Sequence, residues 1–291
     1  MIIKLKNSFI LISFTNFLFL NAFFSQSSVL EYNFISYLIK NQKYNEAEHY
    51  LNNFVSIPNK DTLFFLKGYN YYLMKNPELA MNYLDSVSEN FSRYYIAKML
   101  SSLNSSFISK YHHSIEILNN VSDNKLNNEI LQYKLLMLAG NYLLLRNTTK
   151  FDSISNHFSF DDLKYENEQK NLVELDIRIK KLKPKSPIIA GLLSTVVPGL
   201  GKFYAGNKGG ALSDFAANII FGGMAAEAYY RTKKLNSPQF IIFSSLTLFF
   251  YTGNIIGSVH SVKKRRQSIN KQINNEILLN MHIPIVRILE Q

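Results

Sequence analysis

From Val29 to about Lys150, apolar residues recur at helical spacing in paired runs separated by short polar turns. Four first helices are expected: Phe34 to Ile39, Leu63 to Met74, Tyr94 to Leu103 and Leu131 to Leu145. Each places apolar side chains at i, i+3, i+4 and i+7, which is one face of a helix. A second helix follows each of them. Ala47 follows Lys43-Tyr44-Asn45-Glu46 and precedes Tyr50, Leu51 and Phe54, while Ala80 follows Asn76-Pro77-Glu78-Leu79 and precedes Tyr83, Leu84 and Val87. The two lie 33 residues apart. Ser114 stands 34 further on, before Ile117, Leu118 and Val121, and a looser fourth copy places Ser153 after Phe151. The small residue is expected where two helices approach closely.

A partly apolar helix from Asp161 to Lys183 comes next, stopped by Pro184 and Pro187. Three apolar stretches then cover residues 188–204, 211–230 and 240–259. The third has 20 residues and no charge, enough to cross about 30 Å of hydrocarbon. The first contains Pro198, Gly199, Gly201 and Lys202, so a continuous helix is expected to break or turn there. It is read as a short span or as half of a re-entrant hairpin. Gly253-x-x-x-Gly257 gives the third stretch a small-residue face for tight helix packing, inside the domain or between copies. Asp214 and Glu227 lie in the second stretch and are possible intramembrane polar groups. Alternatively, Asp214 caps the helix near one interface and Glu227 lies at the other, opposite Arg231, Lys233 and Lys234.

At the N-terminus, Lys4 and Lys6 precede an apolar run and then Ser25-Gln26-Ser27-Ser28, the pattern of a secretory signal. Cleavage near Ser25 is expected, with an uncleaved anchor as the alternative. The domain reading is therefore 1–26 signal peptide, 27–160 repeats, 161–186 linking helix, 187–262 membrane domain and 263–291 basic, amphipathic tail. The fold class is all-α.

Two family resemblances follow. Gly68 stands 12 residues before Ala80 with Tyr71 between them, and with Ala47 this is similar to the tetratricopeptide repeat, whose helix pairs use small residues at that separation. The resemblance implies a superhelix whose concave face binds an extended peptide or a helix. In the membrane part, Pro198, Gly199, Gly201, Phe203, Tyr204 and Gly206 resemble the TM2-domain family and TM2-like membrane proteins of Bacteroidota. TM2 domains usually carry two more residues before the Phe-Tyr. That family implies a small helical membrane domain and no defined chemistry.

The net charge of +11 would ordinarily suggest nucleic acid, but its distribution excludes that reading. Residues 26–181 hold 17 basic and 17 acidic side chains, whereas 182–291 hold 13 and 4. The excess flanks apolar stretches, as expected of membrane borders. The sequence contains no cysteine, which removes disulfides and thiolate chemistry. His112-His113 has no metal-ligand companion at suitable spacing, and no nucleotide-binding, zinc-protease or nucleophile-turn motif occurs. No enzyme activity, cofactor or metal is expected.

The function expected is that of a bacterial inner-membrane scaffold or adaptor whose repeats face the periplasm and bind a protein partner, with homo-oligomerisation possible. The alternative is a membrane enzyme or transporter component using Asp214 and Glu227. The signal-like segment and the basic clusters at 178–185 and 263–266 are best reconciled by three crossings, with residues 260–291 cytoplasmic. Two crossings with a re-entrant first stretch is the other topology.

Overall fold

The computed structural model describes residues 30–53, 59–160 and 164–289. The expected signal segment, 1–26, lies outside them. The described residues are helical, with a first helix α1 over residues 30–40 and then α2 (Tyr44–Asn53), α3 (Lys60–Leu73), α4 (Pro77–Asp85), α5 (Tyr94–Phe107), α6 (Tyr111–Asn119), α7 (Asn128–Leu144) and α8 (Thr148–Ser155). After these come α9 (Glu166–Lys181), α10 (Pro187–Val196), α11 (Leu200–Ala205), α12 (Lys208–Thr232) and α13 (Pro238–Leu289). Two compact units result. One contains residues up to Asp176 together with Ile277–Gln291, and the other contains Ile177–Glu276.

In the first unit, α1/α2, α3/α4, α5/α6 and α7/α8 are four helical hairpins with one shared turn. Gln42, Lys75, Ser109 and Arg146 are left-handed, at φ 59°, 59°, 63° and 59°. The residue after each donates its N–H back across the turn: Lys43 to Leu38, Asn76 to Tyr71, Lys110 to Ser105 and Asn147 to Tyr142. The left-handed residue donates to Ile39, Tyr72, Ser106 and Leu143 in turn. This pair of bonds is the Schellman closure, and it satisfies carbonyls that a helix end would otherwise orphan. The turn leaves no slack, because the residue following the left-handed one immediately precedes the next helix.

Five residues beyond each left-handed position the chain meets its partner helix. Ala47, Ala80 and Ser114 stand there, all with no solvent exposure. The fourth member is Phe151, not Ser153, which is exposed. The reason is that α7 has 17 residues where α5 has 14, so a fixed period loses register in the last hairpin. Gly68 faces Ala80 across the second hairpin, and a Cβ there would lie 2.5 Å from Leu84 Cγ and 3.2 Å from the Ala80 carbonyl oxygen. In the third hairpin this close approach is polar. Ser102 and Ser114 hydroxyls meet at 2.6 Å, Ser106 donates to Asn141 Oδ1 at 2.8 Å, and Asn141 Nδ2 donates to Ser114 Oγ at 2.9 Å. Every buried hydroxyl in this cluster is paired, as burial requires. Replacing Ala80 by tyrosine is expected to destabilise this unit by about 1–3 kcal/mol, because a close-packed crossing cannot absorb the added volume. Thermal unfolding followed by circular dichroism checks this; an unchanged Tm would remove Ala80 from the crossing.

The second unit is built in the opposite sense. Most of its buried positions are small or polar, including Ala190, Gly191, Ser194, Gly201, Ala211, Asn218, Asn254 and Ser258, with Val262 and Ile273 the large apolar ones. Its exposed positions include Ile188, Leu192, Val196, Leu212, Leu248, Phe249 and Ile256, each more than 60% exposed. A water-soluble unit hides such side chains, whereas one in lipid presents them. Among the described residues one helix, α13, is long and apolar enough to cross a membrane.

Residues 188–204 do not form one span. Val197 is extended, Gly199 has φ +88°, and the chain reverses from α10 into α11. The two ends of this reversal meet, since Lys185 Nζ donates to the Tyr204 carbonyl at 2.5 Å and the Ser186 N–H donates to Tyr204 Oη at 3.2 Å. α10 is about 15 Å long, half of a hydrocarbon thickness. Residues 187–205 therefore fold as a short helical hairpin. The third stretch also differs from expectation: the helix that contains 240–259 runs on to Leu289 instead of giving way to a separate tail.

Candidate functional site

Two places gather side chains of functional interest, one in each unit. In the first unit, residues 277–289 of α13 lie against the first helices of three hairpins. Tyr133 Oη donates to the Met281 carbonyl at 3.0 Å from α7, and the Tyr72 hydroxyl bonds His282 Nε2 from α3. Phe107 of α5 meets the His282 ring edge-on, with centroids 5.8 Å apart. α9 adds Asn171 Nδ2 to Asn280 Oδ1 at 2.9 Å, and Glu168 accepts from Arg287 at 2.9 Å. Arg287 also donates to the Lys164 carbonyl at 2.7 Å.

Ile277, Met281 and Ile285 recur at i, i+4 and i+8, and all three are fully buried. Burial of each contributes about 1.5–3 kcal/mol relative to exposure. Gly140 provides the space they need, because a Cβ there would collide with Met281. This explains why glycine falls one residue away from the hairpin-crossing position, which Ala139 occupies 12 residues before Phe151. Burial raises the Tyr72 and Tyr133 phenols and lowers the His282 imidazole, which favours neutral His282 here. Beside His282 lies a cavity of about 460 Å³, lined by Tyr72, Leu73, Asn104, Phe107 and Val286. Tyr72 faces this cavity, while Tyr71 stacks on Tyr83 within its own hairpin.

The second place is the polar interior of the other unit. Asn254 Oδ1 accepts the Gly199 N–H at 2.8 Å, and its Nδ2 donates to the Ser194 carbonyl at 3.2 Å. Ser194 Oγ accepts the Gly201 N–H at 3.0 Å and bonds Ser258 Oγ at 2.7 Å. The broken backbone of the α10–α11 turn is thus satisfied by side chains of α10 and α13, as burial requires. Each glycine of the motif has a distinct duty. A side chain at Gly199 would strike the Ala211 carbonyl, one at Gly201 the Ala190 carbonyl, and one at Gly206 the Arg265 guanidinium. Gly206 ends α11 at φ +87°, and Arg265 donates to the Ala205 carbonyl at 2.8 Å. Tyr204 closes the hairpin through Lys185 and Ser186, as described above. Pro198 precedes the turn, and Phe203 is 57% exposed on the outside.

Asp214 does not cap its helix. Asn207 does, accepting from Gly210 N, and Asp214 lies one and a half turns inside. Its partner is Lys202, Nζ to Oδ2 at 2.7 Å, with both side chains 18% exposed. Lys202 reaches it past Gly257, where a Cβ would lie 3.0 Å from Lys202 Cε. Gly257 therefore makes room for a lysine stem, and Gly253 has no neighbour within 4 Å among the described residues, so the pair does not mark a tight helix crossing within the chain. Glu227 pairs with Arg231 on its own helix at 2.5 Å, with side chains 58% and 75% exposed. The two acids stand 13 residues apart on α12, about 20 Å, and share no site.

His112 is exposed, and His113 lies 3.6 Å from Asp85. No cluster of three or more His, Asp or Glu side chains suited to a metal occurs among the described residues. The sequence reading missed Lys202 as the partner of Asp214. The available signal was one cation and one anion in successive apolar stretches, which lipid burial would force together. Comparison of this chain with protein-family models, with curated proteins and with solved structures finds no match.

Proposed function

We propose that this chain is a bacterial membrane-anchored scaffold whose helical hairpins, tetratricopeptide-like in spacing, bind a protein partner beside a TM2-like membrane unit. The observation that supports it is the seating of residues 277–289 on α3, α5, α7 and α9. The hairpins carry a surface that already holds a helix. A surface that seats a helix supports an adaptor, whose work is to hold a partner. In the rival transport reading Asp214 and Glu227 act together; the ion pair of Asp214 with Lys202 and the distance to Glu227 argue against it.

The same seating changes the expected topology. Residues 277–289 and the hairpins belong to one unit, so they lie on one side of any membrane. If 240–259 crosses, a second crossing must precede it. Among the described residues α12, 25 residues and about 37 Å long, has the length for that, although it is less apolar than the apolar stretch of α13. On this reading the chain crosses twice with α10–α11 re-entrant, whereas the charge distribution alone favours three crossings.

The signal-like N-terminus favours a periplasmic hairpin unit on the inner membrane. Both basic clusters then face the periplasm, against the usual bias, although a long preceding domain is translocated largely regardless of charge. Part of that charge is engaged: Arg178 forms a two-pronged pair with Glu276 at 2.8 and 3.1 Å, and Lys185 and Arg265 bind backbone carbonyls.

A photo-crosslinking residue at Leu73, in native membranes, tests the scaffold reading. A discrete adduct larger than the chain is expected. Absence of any adduct at Leu73 and at Phe107 would contradict it.

A further inference from the structure

We infer that residues 277–289 are a displaceable internal ligand of the hairpin groove, and that the partner is a protein presenting an amphipathic helix of the same spacing, which competes for it. This rests on the scaffold reading above and adds the partner's chemistry and its regulation.

The tail fills the groove incompletely. Three apolar anchors at i, i+4 and i+8 are buried, yet the cavity of about 460 Å³ beside His282 and Val286 leaves Tyr72, Leu73 and Phe107 without full cover. A helix with a larger apolar side chain at the position of Val286 would fill that space. Pro284 lies within the helix, so the Asn280 carbonyl loses its helical donor. Leu279 is 55% exposed. Several of the fixing contacts are polar, and a competing helix with matching groups can replace them: Asn171 with Asn280, Glu168 with Arg287, and Tyr72 with His282. A competing helix would therefore carry apolar residues at i, i+4 and i+8, a bulky residue at i+9 and a cation at i+10 to meet the buried Glu168. In the absence of such a partner, covalent linkage holds the tail at an effective concentration in the millimolar range, which closes the groove to weak ligands.

The test uses the detergent-solubilised full chain and a fluorescent peptide of residues 272–289. Three proteins are compared: the unaltered chain, Met281→Glu with Ile285→Glu, and Gly140→Leu. The double variant frees the tail and leaves the groove open, so hydrogen exchange over 277–289 should rise and the peptide should bind at least about tenfold tighter than to the unaltered chain. Gly140→Leu also frees the tail but fills the groove, so the peptide should not bind, while α7 itself gains helix propensity. Equal peptide binding by all three, no binding to the double variant, a tail that stays protected in it, or loss of the hairpin fold in it would each overturn the inference. Peptide failure with Leu73 adducts still formed would leave the scaffold reading standing; peptide binding without any adduct would do the reverse.

Discussion

Replacing Gly201 by leucine is expected to prevent the second unit, residues 177–276, from folding, at a cost of about 3 kcal/mol or more. The obstacle is backbone, which cannot rotate away: a Cβ on Gly201 would enter the space of the Ala190 carbonyl oxygen and crowd Ser194 Oγ. That close approach is what lets the Gly201 N–H reach Ser194, and Ser194 in turn reaches Ser258 on α13. Moving α11 outward would break the Gly201–Ser194 bond and orphan a buried N–H, adding about 1–3 kcal/mol. Gly209→Ala is the matched control, because nothing lies within 4 Å of the added methyl, and its effect is expected to stay within about 1 kcal/mol. Thermal unfolding in detergent with size-exclusion chromatography separates the two. A monodisperse Gly201→Leu protein with an unchanged Tm would refute the close approach.

Lys202→Met is expected to cost about 3–5 kcal/mol, because it leaves Asp214 charged and alone in a poorly hydrated interior. The lysine cannot be replaced by a local substitute. The other polar group beside Asp214 is Asn218, whose Nδ2 already donates to the Asp214 carbonyl at 2.8 Å. Adding Asp214→Leu to Lys202→Met should recover most of the loss, since removing both charges abolishes the desolvation penalty along with the attraction. The comparison of single and double variants by unfolding in detergent therefore distinguishes a structural pair from an acid kept for transport. A single variant as stable as the unaltered chain would mean that Asp214 is neutral or hydrated without Lys202.

The hairpins were legible in sequence because their faces alternate at helical spacing and small residues mark the crossings at Ala47, Gly68 and Ala80. The shared turn was not, because its left-handed positions are Gln42, Lys75, Ser109 and Arg146, none of them the glycine or asparagine that usually marks such a conformation. The fourth crossing falls at Phe151 because three added residues in α7 move it on from position 148, and Ser153 was read there because it is a small residue nearby. In the membrane unit, the turn at Pro198 and Gly199 could be read from residue type, whereas the antiparallel return of α11 depends on Ser194, Asn254 and Ser258, which lie up to 64 positions apart. The seating of the tail was invisible for a similar reason. Ile277, Met281 and Ile285 read as one amphipathic face, and nothing local says what covers it.

The chain contains no cysteine, so single cysteines can be introduced against a silent background. The most direct test of the account is labelling of Glu78→Cys on the hairpins, Gln272→Cys on α13 and Asn236→Cys between α12 and α13, in intact spheroplasts, with a membrane-impermeant maleimide. Two crossings, with the hairpins and the end of α13 together on the periplasmic side, predict labelling at 78 and 272 and protection at 236 until the membrane is permeabilised. Labelling at 78 with protection at 272 would place the hairpins and the tail on opposite sides and contradict the account.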